Sequence, residues 1–214
     1  MAIFDLDGTL TWRDTFVFYV LGYLRRHPLR SLRLWRLPYA LLAFAIGGRN
    51  RGQLKSRIIQ MIMGGEPRSA IDSWTAAFVQ SLQPRGRFRP AALAALEAHR
   101  LAGDSLVLLS ASPDLYVPDI GRLLGFERIL CTEIAWRGGR LEGSLKSPNR
   151  QGAEKLRCLE WLRNQYPGMR VVAYGNSAFD LVHMVRADRA LLVNGNARAR
   201  ALASKSAIPT SEWT

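Results

Sequence analysis

The 214-residue sequence predicts an α/β protein built on a parallel sheet, with a helical insertion after the first strand. Three observations predict it. Short apolar runs alternate with helical spacing over residues 1–12 and 88–214. Several of these runs end on a small or polar turn, as buried parallel strands do. Residues 13–87 instead show helical spacing without strand alternation.

Taken in order, the first strand is 2–5. Four helices follow, at 14–26, 29–46, Arg51–Met63 and 67–82, with breaks at Gly47-Gly48 and Gly64-Gly65. Next come a helix at 90–102 and strands at 106–110 and 129–132. Residues 134–145 read as a hairpin turning at Gly138-Gly139. Leu156, Leu159 and Leu162 share one face of a helix at 153–164. Strands at 171–174 and 190–193 complete the sheet, with right-handed crossovers. The tail after Asn194, with its Arg, Ala and Ser, reads as loosely organised.

At 48% hydrophobic, the chain can bury a sizeable core. It shows no internal repeat and no low-complexity segment. Cys131 and Cys158 do not suggest a disulfide framework, and Cys131, in Ile129-Leu130-Cys131, reads as an apolar filler. A reducing compartment is expected. Met1 leads almost at once into Asp5, which leaves no room for a charged leader and apolar core, so a cytoplasmic location is expected. His27, His99 and His183 stand at no metal-ligand spacing and read as helix-surface residues.

Directly after Ala2-Ile3-Phe4 stands Asp5-Leu6-Asp7-Gly8-Thr9. Residues i and i+2 of a strand share a face, so Asp5 and Asp7 converge if the strand continues that far. Close carboxylates repel unless a cation or a shared proton lies between them. That makes a set of hard oxygen ligands suited to magnesium. An Asx turn that merely ends a strand explains the same residues. The run Leu106-Val107-Leu108-Leu109-Ser110-Ala111-Ser112-Pro113 ends on hydroxyls. Ser110 either holds a phosphate, with nearby backbone N–H groups, or caps a helix. Lys155 falls in a first helical turn, on the unfavourable side of the macrodipole. A bound anion rationalises it; simple surface exposure is the other reading. Asn176 and Asp180 follow Val171-Val172-Ala173-Tyr174-Gly175 and are four apart, so they can share a helix face as oxygen ligands. A cap and a first-turn acid explain them singly.

In this order along the chain, the four motifs resemble the haloacid dehalogenase superfamily of phosphohydrolases, in the branch that includes phosphoserine phosphatase. The match spans nearly the whole chain. The resemblance implies a Rossmann-like doubly wound parallel sheet with the Asp5 strand central. Residues 1–12 and 88–214 would form the catalytic core. Residues 13–87 would form a helical cap that closes over the site, excludes water and selects substrate. The substrate would be a phosphomonoester. Asp5 matches the nucleophile that becomes an aspartyl phosphate. Asp7 matches the general acid and later the base. Thr9, Ser110, Ala111 and Lys155 match the phosphate-binding positions. Asp5, the backbone carbonyl of Asp7, Asn176 and Asp180 match the ligands of Mg2+. Most relatives carry Asp at the position of Asn176. The amide keeps one oxygen but lacks the charge, so weaker magnesium binding is expected, with the chemistry retained.

The cap carries most of the chain's net charge of +13: thirteen basic residues, Arg49 among them, against Asp14, Glu66 and Asp72. Such asymmetry points to an anionic partner. The stretch Leu29-Arg30-Ser31-Leu32-Arg33-Leu34-Trp35-Arg36-Leu37-Pro38 interleaves Arg with apolar residues, and 39–46 is wholly apolar. That run is far short of the roughly 20 residues that span a bilayer. It fits a helix lying in the interface of an anionic membrane. The alternative is an apolar helix packed inside the cap with its arginines solvated. No nucleic-acid module is recognised, and nucleic acid is not expected as a partner. Trp12 and Arg13 read as the hinge into the cap.

From Asp5 through Tyr23-Leu24-Arg25-Arg26-His27-Pro28-Leu29 the chain further resembles the bacterial phosphatidylglycerophosphatase C family. That implies a lipid phosphate substrate, met peripherally at the inner face of the cytoplasmic membrane. A soluble small-metabolite phosphatase of phosphoserine-phosphatase type is the alternative enzyme. A phosphate- or membrane-binding homologue weakened at Asn176 is the non-enzyme alternative. The sequence leaves the oligomeric state open.

Overall fold

A computed structural model describes residues 1–48 and 50–214; Arg49, counted among the basic cap residues, lies outside the described residues. The chain runs β1 (Ala2–Phe4), α1 (Thr15–Arg26), a 3-10 segment (Pro28–Arg36), α2 (Leu37–Ile46), α3 (Arg51–Met63), α4 (Arg68–Gln80) and α5 (Pro90–Leu101). It continues β2 (Leu106–Pro113), α6 (Val117–Leu123), β3 (Arg128–Thr132), β4 (Ile134–Arg137), β5 (Arg140–Leu145) and α7 (Ala153–Gln165). Then follow β6 (Val172–Gly175), α8 (Ala178–Met184), β7 (Arg189–Val193), α9 (Ala197–Lys205) and β8 (Thr210–Ser211).

Six strands form one parallel sheet in the order β3-β2-β1-β6-β7-β8. Alternate side chains enter opposite layers. Phe4, Leu106 and Leu108 pack with Leu96 of α5 and Ile120 of α6. Ile3, Val107 and Leu109 pack with Leu159 and Leu162 of α7 on the other face. Helices cover both faces, which is why β1 and the first half of β2 are apolar on both sides. From β1 the chain builds outward on one side through β2 and β3, then on the other through β6, β7 and β8. The reversal lies between β1 and β6, and ligand sites of open sheets form at the carboxyl ends of such a pair.

Helices α1 to α4 stand between β1 and α5, and the β4–β5 hairpin ties them to the sheet. Leu141 N donates to Glu66 O at 2.8 Å, and Gly65 N donates to Leu141 O at 2.9 Å. Ser56 Oγ of α3 donates to Gly143 O at 2.9 Å. Gly143 has φ +85, and a Cβ there would stand 3.0 Å from the Gln60 backbone nitrogen, so glycine permits this close approach.

Three expectations need correction. The helix expected at 29–46 is interrupted. Pro38 has no N–H to reach the Leu34 carbonyl, so Leu37 N closes a tighter turn on Leu34 O and α2 starts afresh. The tail after Asn194 is ordered: Ala199 and Ala203 of α9 are buried, and β8 extends the sheet beside β7. Its composition hid an i, i+4 pair of small apolar residues. Finally, His183 is not a surface residue. It is buried on α8, and burial, with Lys155 nearby, holds its imidazole down to about 3. His99 is partly buried, bridging Asp104 at 2.7 Å and the Tyr174 hydroxyl at 2.9 Å.

Candidate active site

A cavity of about 360 Å³ opens at the carboxyl ends of β1, β2 and β6. Asp5, Asp7, Ser110, Ala111, Lys155, Asn176 and Asp180 all line it. Thr9 does not. It is fully buried beneath the loop, with its hydroxyl 3.4 Å from Asp5 Oδ2, so it braces the Asp5 side chain.

Strand β1 stops at Phe4, short of Asp7. Asp5 N still donates to Tyr174 O at 3.0 Å, and the chain then turns through Gly8. The two carboxylates therefore reach one cavity through a turn and not along a continued strand. Gly8 has φ +85, and a Cβ there would meet Asn176 Nδ2 at 2.0 Å. The left-handed backbone favours glycine here, and the Asn176 side chain occupies the space a Cβ would need.

Lys155 lies at the bottom of the site. It is buried in the first turn of α7, where α7 packs on the sheet. Its Nζ donates to Asp5 Oδ1 and to Asp180 Oδ1, each at 2.6 Å. These carboxylates, and not a surface position, account for a lysine at a helix start. Burial opposes the Lys155 charge, but the Asp180 and Asp5 carboxylates outweigh it and hold the ammonium above its ordinary range. Asp180 is held below its ordinary value despite burial, by Lys155 foremost. Its second oxygen accepts from Ser177 N (2.9 Å), Ser177 Oγ (2.6 Å) and Asn176 N (3.2 Å). Burial pushes the Asp5 carboxyl up to about 7, against the pull of Lys155.

Asp7 is held by groups that the sequence reading did not single out. Its Oδ1 accepts from Thr15 N at 2.7 Å and Thr15 Oγ1 at 2.6 Å. Its Oδ2 accepts from Ser112 Oγ at 2.5 Å. Lys55 of α3 in turn lies 3.2 Å from Ser112 Oγ. Ser110 Oγ accepts from Ser112 N at 3.1 Å, inside β2 and not at a helix cap. Ser112 was findable, being two residues beyond Ser110 in a strand. Lys55 and Arg51, which also line the cavity, stood in the sequence as two of many cap cations. Nothing local marked them.

Among the described residues, no three His, Cys, Asp or Glu side chains form a metal cage by themselves. Asp5 and Asp180 are two carboxylates, and Asn176 adds an amide oxygen in the same cavity. Magnesium characteristically takes one or two carboxylates, with water and phosphate oxygens completing its shell. The residues present fit that habit, with Asn176 leaving one negative charge fewer than a third acid would.

A buried carboxylate beside an ammonium, a second carboxylate held by three donors and hydroxyls at a strand end thus share one cavity. The sequence matches the haloacid dehalogenase-like hydrolase family over residues 2–184, and the chain belongs to that family. Protein CicA of Caulobacter vibrioides is 32% identical over 190 residues, covering 88% of this chain and 83% of CicA. A crystal structure of a Bordetella pertussis Tohama I protein of unknown function superposes with a TM-score of 0.81 at 20% identity, over 98% of this chain and 96% of that one. A phospho-aspartyl intermediate analogue of phosphoserine phosphatase superposes with a TM-score of 0.63 at 15% identity, over 94% of this chain and 88% of that one. The fold is that of the phosphoserine-phosphatase-like branch.

Proposed function

We propose that the protein is a magnesium-dependent phosphomonoesterase working through an aspartyl phosphate on Asp5. The observation that carries this is Lys155 Nζ, buried between Asp5 and Asp180 at 2.6 Å from each. In the first step an Asp5 carboxylate oxygen attacks phosphorus. The bond from phosphorus to the alcohol oxygen breaks, and Asp7 supplies the proton that the departing alcohol needs. In the second step water attacks the phosphoryl group, Asp7 takes the proton back, and phosphate leaves with Asp5 restored. Lys155, Ser110 and the backbone at Ala111 hold the charge on the transferring group. Magnesium, held by Asp5, the Asp7 carbonyl, Asn176 and Asp180, would offset the repulsion between Asp5 and the incoming phosphate. Residues 1–12 and 88–214 act as the catalytic core and 13–87 as the cap.

The substrate reading follows the cap. Arg13, Arg51 and Lys55 line the cavity, and the segment 13–87 that carries them is strongly basic. A bulky anionic lipid phosphate such as phosphatidylglycerol phosphate suits this charge, with the protein working peripherally at the inner membrane face. The structural likeness to phosphoserine phosphatase supports a second reading, a soluble small-metabolite phosphatase whose cap arginines meet a substrate carboxylate. The test is magnesium-dependent phosphate release from phosphatidylglycerol phosphate in mixed micelles, beside phosphoserine and beside Asp5→Asn. Release from the lipid that is lost in the variant supports the first reading. Turnover of phosphoserine alone supports the second, and no turnover of any phosphomonoester removes both.

A further inference from the structure

In a 3-10 helix residues i and i+3 lie one above the other, so Pro28–Arg36 sorts its side chains into rows. Leu34, with Leu37 beyond it, packs inward on the core. Arg30 and Arg33 turn toward the end of α3. Arg30 Nη1 donates to Ile62 O at 3.3 Å and Gly64 O at 3.2 Å, and Arg30 pairs with Glu66. Arg33 Nη1 reaches Met61 O and Gly64 O, each at 3.5 Å. These carbonyls end α3, which has no basic residue in its own last turn to supply their donors. The remaining row, Leu29, Leu32 and Trp35, faces solvent. Helix α2 prolongs it with Tyr39, Leu42 and Ile46, and all six side chains are 57 to 80% exposed. Only Ala40 of α2 is buried.

The stretch is thus apolar on two sides, Leu34 inward and the Leu29 row outward, where an amphipathic helix turns a polar face to solvent. Two of the arginines are taken up as end caps for a neighbouring helix, and the apolar row is what remains outside. A contiguous apolar face of this kind marks an interaction surface. We infer that residues 28–46 form a face that docks on an anionic lipid bilayer, with the leucines and Ile46 in the acyl boundary and Trp35 and Tyr39 at headgroup level. Arg36 stands beside the row with its guanidinium over the Trp35 ring at 5.1 Å, Arg25 and Arg26 end the preceding helix with Arg26 over the Trp74 ring at 5.0 Å, and none of the three makes a hydrogen bond or ion pair with another side chain among the described residues. They suit lipid phosphates. A second copy would bring the same cations to the interface, which opposes self-association there. No described helix is long and apolar enough to cross a membrane, so the face lies on the bilayer. Helix α2 packs on α3, whose Arg51 and Lys55 line the catalytic cavity. Docking therefore gives that cavity a lipid phosphate to meet, and this consequence alone rests on the lipid-phosphate reading.

The experiment is co-sedimentation without substrate, using vesicles of phosphatidylcholine alone and of three parts phosphatidylcholine to one part phosphatidylglycerol. The protein is compared with a Leu32→Ser, Trp35→Ser, Ile46→Ser triple variant and with Asp5→Asn. Turnover of a soluble phosphomonoester and the melting profile report the fold of the triple variant. We expect the wild type and Asp5→Asn to bind the anionic vesicles with a blue shift of tryptophan fluorescence that the triple variant, lacking Trp35, does not show, and the triple variant to bind at least about tenfold more weakly. Absence of binding by the folded wild type, or undiminished binding by the triple variant, overturns the inference. So does a wild-type dimer that the triple variant converts to monomer, since a second copy then covers the face. Vesicle binding by a protein that releases no phosphate from phosphatidylglycerol phosphate in mixed micelles would sink the substrate reading and leave the docking face standing.

Discussion

The ammonium of Lys155 sits 2.6 Å from Asp5 Oδ1, fully inside the protein, with Asp180 as its second partner at the same distance. Removing one member of such a cluster leaves like charges unpaired in a poorly hydrated place. Lys155→Met should therefore cost about 3–5 kcal/mol of stability at neutral pH. Chemical denaturation checks this. The loss should shrink in acid, where a proton can neutralise Asp5 or Asp180 in place of the ammonium. Phosphatase activity should fall by about a hundredfold or more, because a phosphoryl-binding cation is lost as well.

Asp7 depends on Thr15 and Ser112 for its orientation. Thr15→Val keeps the shape and the backbone donor but deletes the 2.6 Å hydroxyl bond. A hydrogen bond to a charged group is worth about 1.5–3 kcal/mol, so a drop in kcat of roughly tenfold or more is expected. KM should change little, since Thr15 does not line the cavity. A change confined to KM would show that Asp7 binds substrate and does not handle the proton.

Asn176→Asp replaces the amide by a carboxylate of the same shape, so the close fit against Gly8 is kept. The added charge should lower the magnesium concentration for half-maximal activity by about tenfold, equivalent to roughly 1.4 kcal/mol. Titration of activity with magnesium measures it. An unchanged requirement would place Asn176 outside the metal's ligands.

Asp114 gives the pH dependence of stability. Burial pushes its carboxyl up to about 6, and the backbone N–H of Ile134, 3.0 Å from Oδ1, only partly offsets this. A raised carboxyl means that the folded state binds the proton more tightly than the unfolded one. Its contribution is present below the unfolded value of 3.8 and is lost as pH rises through about 6. Asp114→Asn, which can still accept from Ile134, should stabilise the protein at pH above that window by about 1 kcal/mol, allowing for solvent screening. Well below the window the gain should vanish. Melting temperatures of both proteins on either side of it decide.

Much of the fold was legible because buried parallel strands are written as apolar runs. β1, β2, β3, β6 and β7 fall within a few residues of their expected places, as does the hairpin turning at Gly138-Gly139. What escaped depends on partners distant in sequence. Ala199 and Ala203 look unremarkable until the sheet supplies the surface they bury against. His183 reads as polar until α8 turns it inward. At the site, seven of the eight residues singled out line one cavity, and Thr9 lies beneath it. Ser112, Thr15 and Lys55 were missed because their roles come from contacts across 105, 8 and 57 residues of chain. The exposed row of 28–46 was legible as apolar, but its direction was not. That depended on Arg30 and Arg33 finding the end of α3.

The central claim is that Asp5 carries the phosphoryl group. The most direct test is to mix the enzyme and magnesium with a phosphomonoester bearing a labelled phosphoryl group, quench in acid, and locate the label by peptide mapping. A hydroxylamine-labile label is expected on the peptide containing Asp5 and not in Asp5→Asn, which also releases no phosphate. Phosphate release that persists in Asp5→Asn, or a label on any other residue, would contradict it.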